Sequence, residues 1–163
     1  MNREIKKYPD PILRKKTEEV KEITPEIKKL IEDMKETMIN GDGAGLAAPQ
    51  VGVLKRIIIV DAGKGPLAFI NPKIIRKSKE TQTIEEGCLS FPGFFLKIKR
   101  AREAEIEAEN EKGEKTHFKA NGIFATIFQH EVDHLDGILF IDRISFWQRY
   151  RIKDKLNKYG FNS

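Results

Sequence analysis

The stretch GIFATIFQHEVDHLDG, residues 122 to 137, decides the fold because it predicts one helix that the rest of the chain must surround. Asn121 precedes it as a suitable N-cap, and Gly137 is positioned to end it. At about 100° per residue, His130 and His134 point the same way from this helix, one turn apart. The helix therefore carries two imidazoles on one stripe, and we expect it at the centre of the fold.

Strand signals fill the middle of the chain. The segments LKRIIIVD, residues 54 to 61, and LAFINPKII, residues 67 to 75, are rich in β-branched residues. Residues 103 to 120 alternate with period two, placing Ala and Ile on one face and Glu on the other, with Gly113 at a hairpin turn. We therefore expect an α+β fold in which antiparallel strands pack around this central helix, together with a C-terminal helix. The central helix carries the HExxH motif, HEVDH at residues 130 to 134.

Helices are expected towards both ends of the chain. Thr24 is a suitable N-cap, and Pro25 a suitable first residue, for an amphipathic helix that ends before Gly41. Residues 143 to 163 are expected to form a basic C-terminal helix. Because no repeat, low-complexity tract or linker interrupts the sequence, we expect residues 1 to 163 to form a single domain.

Composition limits what kind of protein this is. The chain has 39% hydrophobic and 34% charged residues, no run of 18 apolar residues and no signal-peptide core. We therefore expect a soluble, cytoplasmic protein that does not interact with a membrane. The single cysteine excludes an internal disulfide.

The net charge of +5 is concentrated at one end of the chain. Residues 143 to 163 hold six Lys or Arg and one Asp, so this tail supplies the whole surplus. Its apolar residues, Trp147 and Leu156 among them, recur at roughly helical spacing and are expected to face the domain. The tail raises the alternative of a nucleic-acid-binding module, but no nucleic-acid motif supports a sequence-specific site.

The two histidines belong to an HExxH motif, which is typical of zinc hydrolases. Glu131 lies nearly a quarter-turn from the histidine stripe, where its carboxylate reaches a water without occupying a coordination position. The alternative is that both histidines are hydrogen-bonded core or surface groups. A catalytic metal of this kind needs three protein ligands, because its fourth position holds water.

The third ligand separates the classes of HExxH enzyme. One metalloprotease type needs a histidine where this chain has Phe140, and another needs a downstream glutamate, but none follows Glu131. A metalloendopeptidase is therefore the disfavoured alternative. His117, on the outward face of a hairpin strand, is given no role. Cys88 is favoured, because a thiolate with two imidazoles is a recognised catalytic set, although a lone cysteine is often a buried apolar residue.

The glycine-rich segment from residue 43 to 52 also fits the GxGxxA pattern of dinucleotide-binding proteins, with Asp61 at the end of the next strand. The context excludes that alternative, because an amphipathic helix precedes the segment and Pro49 leaves no room for the helix that should follow. A loop of bare glycines instead lets a substrate backbone approach closely.

Three motifs carry a resemblance to a known family: GAGLAAPQVG at residues 43 to 52, EEGCLS at 85 to 90 and QHEVDH at 129 to 134. In this order and spacing they resemble the signature motifs of bacterial peptide deformylases, which remove the N-formyl group from nascent polypeptides. The resemblance implies that Cys88 is the third ligand of one divalent ion, natively Fe²⁺, although Zn²⁺ or Ni²⁺ suits the same ligands. It also implies N-formylmethionyl nascent peptides as substrates and the ribosome as a partner of the basic C-terminal helix.

The chemistry and the resemblance together suggest a role for each site residue. Glu131 is expected to take a proton from water and deliver it to the leaving amine. The resemblance implies that the Gln50 amide and the backbone N–H of Leu89 stabilise the oxyanion. It implies further substrate contacts, in a methionine pocket and in glycine-rich segments, at Gly43, Ala44, Gly45, Ile84, Gly87, Leu89, Ile123, Thr126 and Ile127.

Two positions depart from the family pattern, and neighbouring charged residues are expected to support the site. Ala44 stands where a larger aliphatic residue is common, and Phe95 stands where some members carry arginine, so Phe95 is given no role. An ion pair between Glu86 and Arg100 is expected to brace the cysteine loop. Asp133 is expected to orient a ligand imidazole.

Overall fold

The computed structural model describes residues 1–161, in which three α-helices and seven strands alternate with three short 3₁₀ turns. The helices are α1 (Pro25–Asn40), α2 (Gly122–Leu135) and α3 (Phe146–Lys158). The strands are β1 (Gly45–Ala47), β2 (Ile57–Asp61), β3 (Pro66–Lys77), β4 (Thr81–Cys88), β5 (Phe91–Ala101), β6 (Glu103–Glu109) and β7 (Lys115–Asn121). The 3₁₀ turns lie at Pro11–Arg14, Ala48–Val51 and Phe140–Asp142.

Antiparallel pairing builds both sheets of the molecule. Five strands form one sheet in the order β1-β2-β3-β6-β7, and β4 and β5 form a separate two-stranded sheet. Each neighbouring pair of strands in these sheets runs antiparallel. The predicted α+β fold, with antiparallel strands around the helix that carries HExxH, is confirmed.

The apolar run in β2 explains how the layers stack. Because alternate residues of a strand face opposite sides, Ile57 and Ile59 join the core beneath α1, while Ile58 and Val60 join the core beneath α2. All four side chains are buried. The sheet therefore lies between α1 and α2 at this strand, which is why β2 has no polar face.

Helix α1 begins and packs as its sequence predicts. The Thr24 side chain accepts a hydrogen bond from the Ile27 N–H at 3.3 Å, and Pro25 occupies the first helical position. The apolar stripe of the helix is buried against the sheet through Leu30, Ile31, Met34 and Met38. The predicted helix is confirmed, with its end at Asn40.

The β4–β5 hairpin and the short strand β1 were not predicted from the sequence. Exposed residues alternate along much of the hairpin with more buried ones, and Pro92 and Gly93 interrupt the start of β5. One face of the hairpin meets an aromatic core, in which the Phe91 ring lies 5.0 Å from Phe140 and 5.3 Å from Phe161. Tertiary packing, more than local strand propensity, therefore stabilises this hairpin.

Helix α3 is shorter than the predicted helix over residues 143 to 163. The Ser145 hydroxyl caps it by accepting a hydrogen bond from the Gln148 N–H at 3.2 Å. Leu156 is buried as expected, which stabilises the docked helix by about 2 kcal/mol. The prediction for Trp147 is wrong, because this side chain is 70% exposed. Residues 162 and 163 of the predicted helix lie outside the described residues.

Within residues 1–161, no helix combines the length and the apolar character that crossing a bilayer requires.

Candidate metal centre and substrate cleft

Three predicted metal ligands meet where α2 passes the end of β4. His130 and His134 are buried on α2, and Cys88 is the last residue of β4, beyond a register shift that follows Glu86. The Cys88 Sγ lies 3.3 Å from the His134 Nε2, and the ligand atoms of the three residues all lie within 4.8 Å of one another. The structure thus brings together side chains that are more than 40 residues apart in sequence.

The donor atoms and their spacing fit one divalent ion. Metal bonds of about 2.0 Å to nitrogen and 2.3 Å to sulfur place the ligand atoms of a tetrahedral site roughly 3 to 4 Å apart. The separation of 3.3 Å between the Cys88 Sγ and the His134 Nε2 falls within that range. Burial is the main reason that the pKa of His134 lies well below its usual value, so this imidazole keeps a lone pair for a metal.

A buried ion pair orients the other imidazole. The His130 Nδ1 lies 2.8 Å from the Glu86 carboxylate, and Arg100 donates to the same carboxylate at 2.6 and 3.0 Å. Burial alone would raise the pKa of Glu86, but the hydrogen bonds from His130 and Arg100 outweigh burial and lower it. The predicted pair of Glu86 and Arg100 is confirmed, and it leaves the His130 Nε2 free to face the ligands.

Asp133 makes no direct hydrogen bond to a ligand imidazole within residues 1–161, so the predicted contact is wrong. Its carboxylate accepts hydrogen bonds from Arg100 at 2.9 Å and from Arg143 at 2.9 and 2.5 Å. The His134 Nδ1 has no hydrogen-bond partner in the described part of the chain. Two guanidinium groups attract the carboxylate more strongly than a neutral ring does, which explains where Asp133 lies.

Glu131 lies buried beside the ligands, with 4% of its surface exposed. Burial is the main reason that its pKa rises to about 7. Its Oε2 has no hydrogen-bond partner among residues 1–161, although buried carboxylate oxygens are normally paired. A carboxyl group with this pKa and an unused lone pair suits proton transfer near neutral pH.

Gly45 of β1 is required because Glu131 fills the space where a side chain would begin. A Cβ atom at this position would lie 2.8 Å from the Glu131 Cδ, closer than real carbon contacts allow. Any other residue would displace either the carboxylate or the strand. The sequence analysis treated Gly45 as a substrate contact only, because close packing between two elements leaves no periodic signal in a sequence.

Gln50 is held in one orientation by its neighbours. Its Oε1 accepts a hydrogen bond from the Ala47 N–H at 2.9 Å, and its Nε2 donates to the Ser90 hydroxyl at 3.1 Å and towards the Cys88 Sγ at 3.4 Å. Ser90 donates in turn to the Lys6 carbonyl at 2.7 Å. Ser90 was missed by the sequence analysis, although it ends the EEGCLS motif.

A cleft of about 530 Å³ opens beside the ligands. It is lined by every predicted substrate contact, namely Gly43, Ala44, Gly45, Ile84, Gly87, Leu89, Ile123, Thr126 and Ile127. Phe95, which was given no role, also lines the cleft, and its ring occupies the space where a Cβ of Gly87 would lie. His117 lies elsewhere, on β7, where its Nε2 is 2.8 Å from the Glu105 carboxylate.

A thiolate and two imidazoles converging beside a buried carboxylate, at the wall of an apolar cleft, define a metal-dependent hydrolase. The chain matches the family model described as polypeptide deformylase over residues 2–150. It therefore belongs to the polypeptide deformylase family.

Similar proteins agree in sequence and in structure. The chain is 46% identical over 152 residues to the peptide deformylase of Thermotoga maritima, covering 93% of each chain. It is 47% identical over 162 residues to that of Thermodesulfovibrio yellowstonii, covering 95% of this chain and 98% of the relative. The crystal structure of the Thermotoga maritima enzyme matches with a TM-score of 0.87 at 46% identity, covering 89% of this chain and 99% of that chain. The crystal structure of a Synechococcus elongatus peptide deformylase in complex with actinonin matches with a TM-score of 0.91 at 38% identity, covering 97% of this chain and 88% of that chain.

The activity predicted from the sequence, peptide deformylase, is confirmed by the family and by these relatives. The metalloendopeptidase alternative is not favoured. Phe140 is buried in the aromatic core at 2% exposure, at the position where one class of those enzymes needs a third histidine. The family is metal-dependent, and Cys88, His130 and His134 form the candidate centre.

Proposed function

We propose that this protein hydrolyses the N-formyl group of N-formylmethionyl nascent peptides in the cytoplasm and releases formate. The observation that carries the proposal is the convergence of Cys88, His130 and His134 within 4.8 Å of one another, beside the buried carboxylate of Glu131. A ligand set with one thiolate distinguishes this centre from the histidine and glutamate sets of metalloendopeptidases.

Cys88, His130 and His134 would hold one divalent ion, with Fe²⁺ as the native metal and Zn²⁺ or Ni²⁺ as alternatives. Held there, such an ion would supply Lewis-acid polarisation of the formyl carbonyl and would lower the pKa of water towards neutral. One thiolate and two imidazoles accept all three metals, so the preference for Fe²⁺ rests on the resemblance of the three motifs.

Glu131 is the proposed general base and acid. Its carboxylate takes a proton from the attacking water and delivers it to the amine that leaves. A pKa of about 7 supports both steps, because comparable fractions of the group are protonated and deprotonated near neutral pH. The carboxylate oxygen without a protein partner is the atom available for this transfer.

Gln50 and the backbone N–H of Leu89 are the proposed donors to the oxyanion. The Ala47 N–H fixes the Gln50 amide through its oxygen, so the Nε2 can only face towards Cys88 and Ser90. A donor that is oriented before the reaction needs no reorganisation when charge develops on the substrate oxygen. This orientation supports the role assigned to Gln50.

The cleft has the shape and chemistry for a methionine side chain followed by an extended peptide. Ile84, Leu89 and Ile127 offer an apolar wall to an unbranched thioether. Strand β1 stands at the edge of the five-stranded sheet, so its outer backbone groups are open to pairing with a peptide. The segment from Gly43 to Gly45 is the proposed pairing partner, because its glycines permit a close approach.

Residues 1–163 are proposed to form one domain. Both ends of the described chain support this, since the Tyr8 ring stacks on Phe91 at 4.8 Å and Phe161 contacts the same ring at 5.3 Å. Helix α3 is the proposed ribosome-docking element, supported by the exposure of its cations Arg149, Arg151, Lys153 and Lys155.

The proposed function is tested by anaerobic purification, metal analysis and a formate-release assay on a formyl-methionyl tripeptide. We expect about one equivalent of iron, formate release and no cleavage of internal peptide bonds. Iron-loaded protein should lose activity in air while nickel-loaded protein persists, because a thiolate beside a redox-active ion oxidises readily. Cleavage of internal bonds without formate release would contradict the proposal.

A further inference from the structure

We infer that Arg143 is a positioning residue for the metal ligand His130 and acts on it through a buried chain of charged side chains. Arg143 lies outside the three sequence motifs, directly after the 3₁₀ turn Phe140–Asp142. The inference rests on the ligand set proposed above.

Successive hydrogen bonds between opposite charges link Arg143 to the imidazole. Arg143 donates to the two carboxylate oxygens of Asp133 at 2.9 and 2.5 Å. Arg100 donates to Asp133 at 2.9 Å and to Glu86 at 2.6 and 3.0 Å. Glu86 in turn lies 2.8 Å from the Nδ1 of His130. The chain therefore ends on the ring whose other nitrogen faces Cys88 and His134.

The charges of this cluster balance only when Arg143 is included. The side chains of Arg100, Glu86 and Asp133 are 4%, 5% and 11% exposed, whereas that of Arg143, which pairs with Asp133, is 37% exposed. Two carboxylates face two guanidinium groups. Without Arg143, both carboxylates would compete for Arg100, and a buried carboxylate that lacks a full partner is strongly unfavourable.

Loss of Arg143 should loosen the support of His130. Within the described residues, Arg143 provides two of the three hydrogen bonds that the Asp133 side chain accepts. Arg100 would shift towards the undercompensated Asp133 and hold Glu86 less tightly, which frees the imidazole to turn. Removing a group that orients a metal ligand typically lowers metal affinity by about 10- to 100-fold, and we expect about 3- to 10-fold from this more distant residue.

The neighbouring Asp142 provides a matched control. It accepts hydrogen bonds from Arg14 and from Arg149, so these pairs anchor the same segment of chain without reaching the buried cluster. Arg14→Gln therefore weakens the attachment of the segment and leaves Asp133 untouched. Arg143→Ala changes both the attachment of the segment and the pairing of Asp133. The difference in metal release between the two variants therefore isolates the effect that passes through Asp133.

The experiment measures metal retention rather than turnover. Wild-type protein, Arg143→Ala, Arg143→Lys and Arg14→Gln are loaded with Co²⁺, checked by circular dichroism, and mixed with excess chelator while the visible absorption of the cobalt–thiolate centre is followed. We expect about 3- to 10-fold faster release and an altered spectrum in Arg143→Ala. Arg14→Gln should resemble wild type, and Arg143→Lys should fall between, because it keeps the charge but not the two-pronged geometry.

A double variant that combines Arg143→Ala with Asp133→Asn separates an effect on metal release that passes through Asp133 from an effect that does not. If Arg143 acts through this carboxylate, adding Arg143→Ala to Asp133→Asn changes the release rate little further. Wild-type release in Arg143→Ala, or equal acceleration by Arg14→Gln, overturns the inference. Failure of the wild-type protein to bind Co²⁺ with a thiolate spectrum would instead contradict the ligand set, and hence the proposed function.

Discussion

Helices α2 and α3 are of similar length, but they relate to the rest of the molecule in opposite ways. Ten of the 14 residues of α2 are buried, including both histidines and Glu131, whereas Leu156 alone among the 13 residues of α3 is buried. Packing and chemistry constrain nearly every side of α2. Most of α3 faces solvent, so packing within the molecule constrains few of its positions.

The largest effect expected from this contrast lies on α2. Glu131→Gln removes the proposed proton carrier, so turnover should fall by about 10² to 10⁴ while metal content stays near one equivalent. Formate release and metal analysis check the two quantities separately. Glu107→Gln, at an exposed position of β6, is the control and should leave both unchanged. Loss of metal in Glu131→Gln would show that this carboxylate is a ligand.

Two aromatic truncations compare the helices directly. The fully buried Phe128 of α2 packs with Phe69 at a ring distance of 5.0 Å, while Trp147 of α3 is 70% exposed. Phe128→Ala should lower the free energy of unfolding by about 3 to 5 kcal/mol. Trp147→Ala should change it by less than about 0.5 kcal/mol. Denaturant titrations at one fixed metal concentration measure both, and similar losses in the two variants would invalidate the contrast.

Charge removal from α3 tests what its exposed face meets. Replacing Arg149, Arg151, Lys153 and Lys155 with glutamine should weaken ribosome co-sedimentation by roughly 10-fold or more and flatten its salt dependence, because three or four phosphate contacts are lost. Hydrolysis of a short formyl-methionyl peptide should stay nearly unchanged.

A matched variant separates the position of these charges from their number. It replaces four exposed lysines distant in sequence from α3, namely Lys15, Lys16, Lys21 and Lys28. Equal loss of ribosome binding in both variants would assign the effect to net charge. Undiminished binding in the α3 variant would exclude docking through this helix.

The smallest effect concerns the attachment of α3 at Asp142. Burial alone would raise the pKa of Asp142, but hydrogen bonds from Arg14 and the Leu139 N–H outweigh burial and lower it. A lowered pKa contributes stability above the unfolded value of about 3.9, and this contribution is lost as the pH falls through the folded pKa. Asp142→Asn should therefore cost about 0.5 to 1 kcal/mol at pH 6, and the cost should shrink at pH 3. A difference that grows on acidification would contradict this sign.

The sequence predicted α1, α2, β2 and the β6–β7 hairpin because each has its own local signal. The run Ile57 to Val60 is apolar on both faces, and residues 103 to 120 alternate with period two on either side of a turn at Gly113. The β4–β5 hairpin lacks such a signal, since Pro92 and Gly93 interrupt it and its core contacts come from distant aromatic residues. The predicted orientation of α3 was wrong at Trp147, because spacing alone does not tell which residues of a short apolar stripe contact the domain.

The site was predicted to the extent that motif residues define it. All predicted ligands and cleft residues come together, and Glu86 pairs with Arg100 as predicted. The partners of Asp133 and of the His130 imidazole were not predicted. Asp133 adjoins a ligand in sequence but pairs with Arg100 and Arg143, while Glu86, 44 residues away, reaches His130. The position of a residue on a helix fixes the direction in which its side chain points. Only the packed fold determines which opposite charge lies in that direction.

The ligands come from two separate parts of the fold, and this has a thermodynamic consequence. Cys88 is the last residue of β4, beside the turn of a hairpin that packs on the aromatic core, whereas both histidines belong to α2 beneath the five-stranded sheet. An ion bound to all three is a cross-link between these parts that an unfolded chain does not offer. By mass action, each tenfold rise in free metal above its dissociation constant adds about 1.4 kcal/mol to the free energy of unfolding. The melting temperature of a preparation therefore reports its metal supply as well as its sequence.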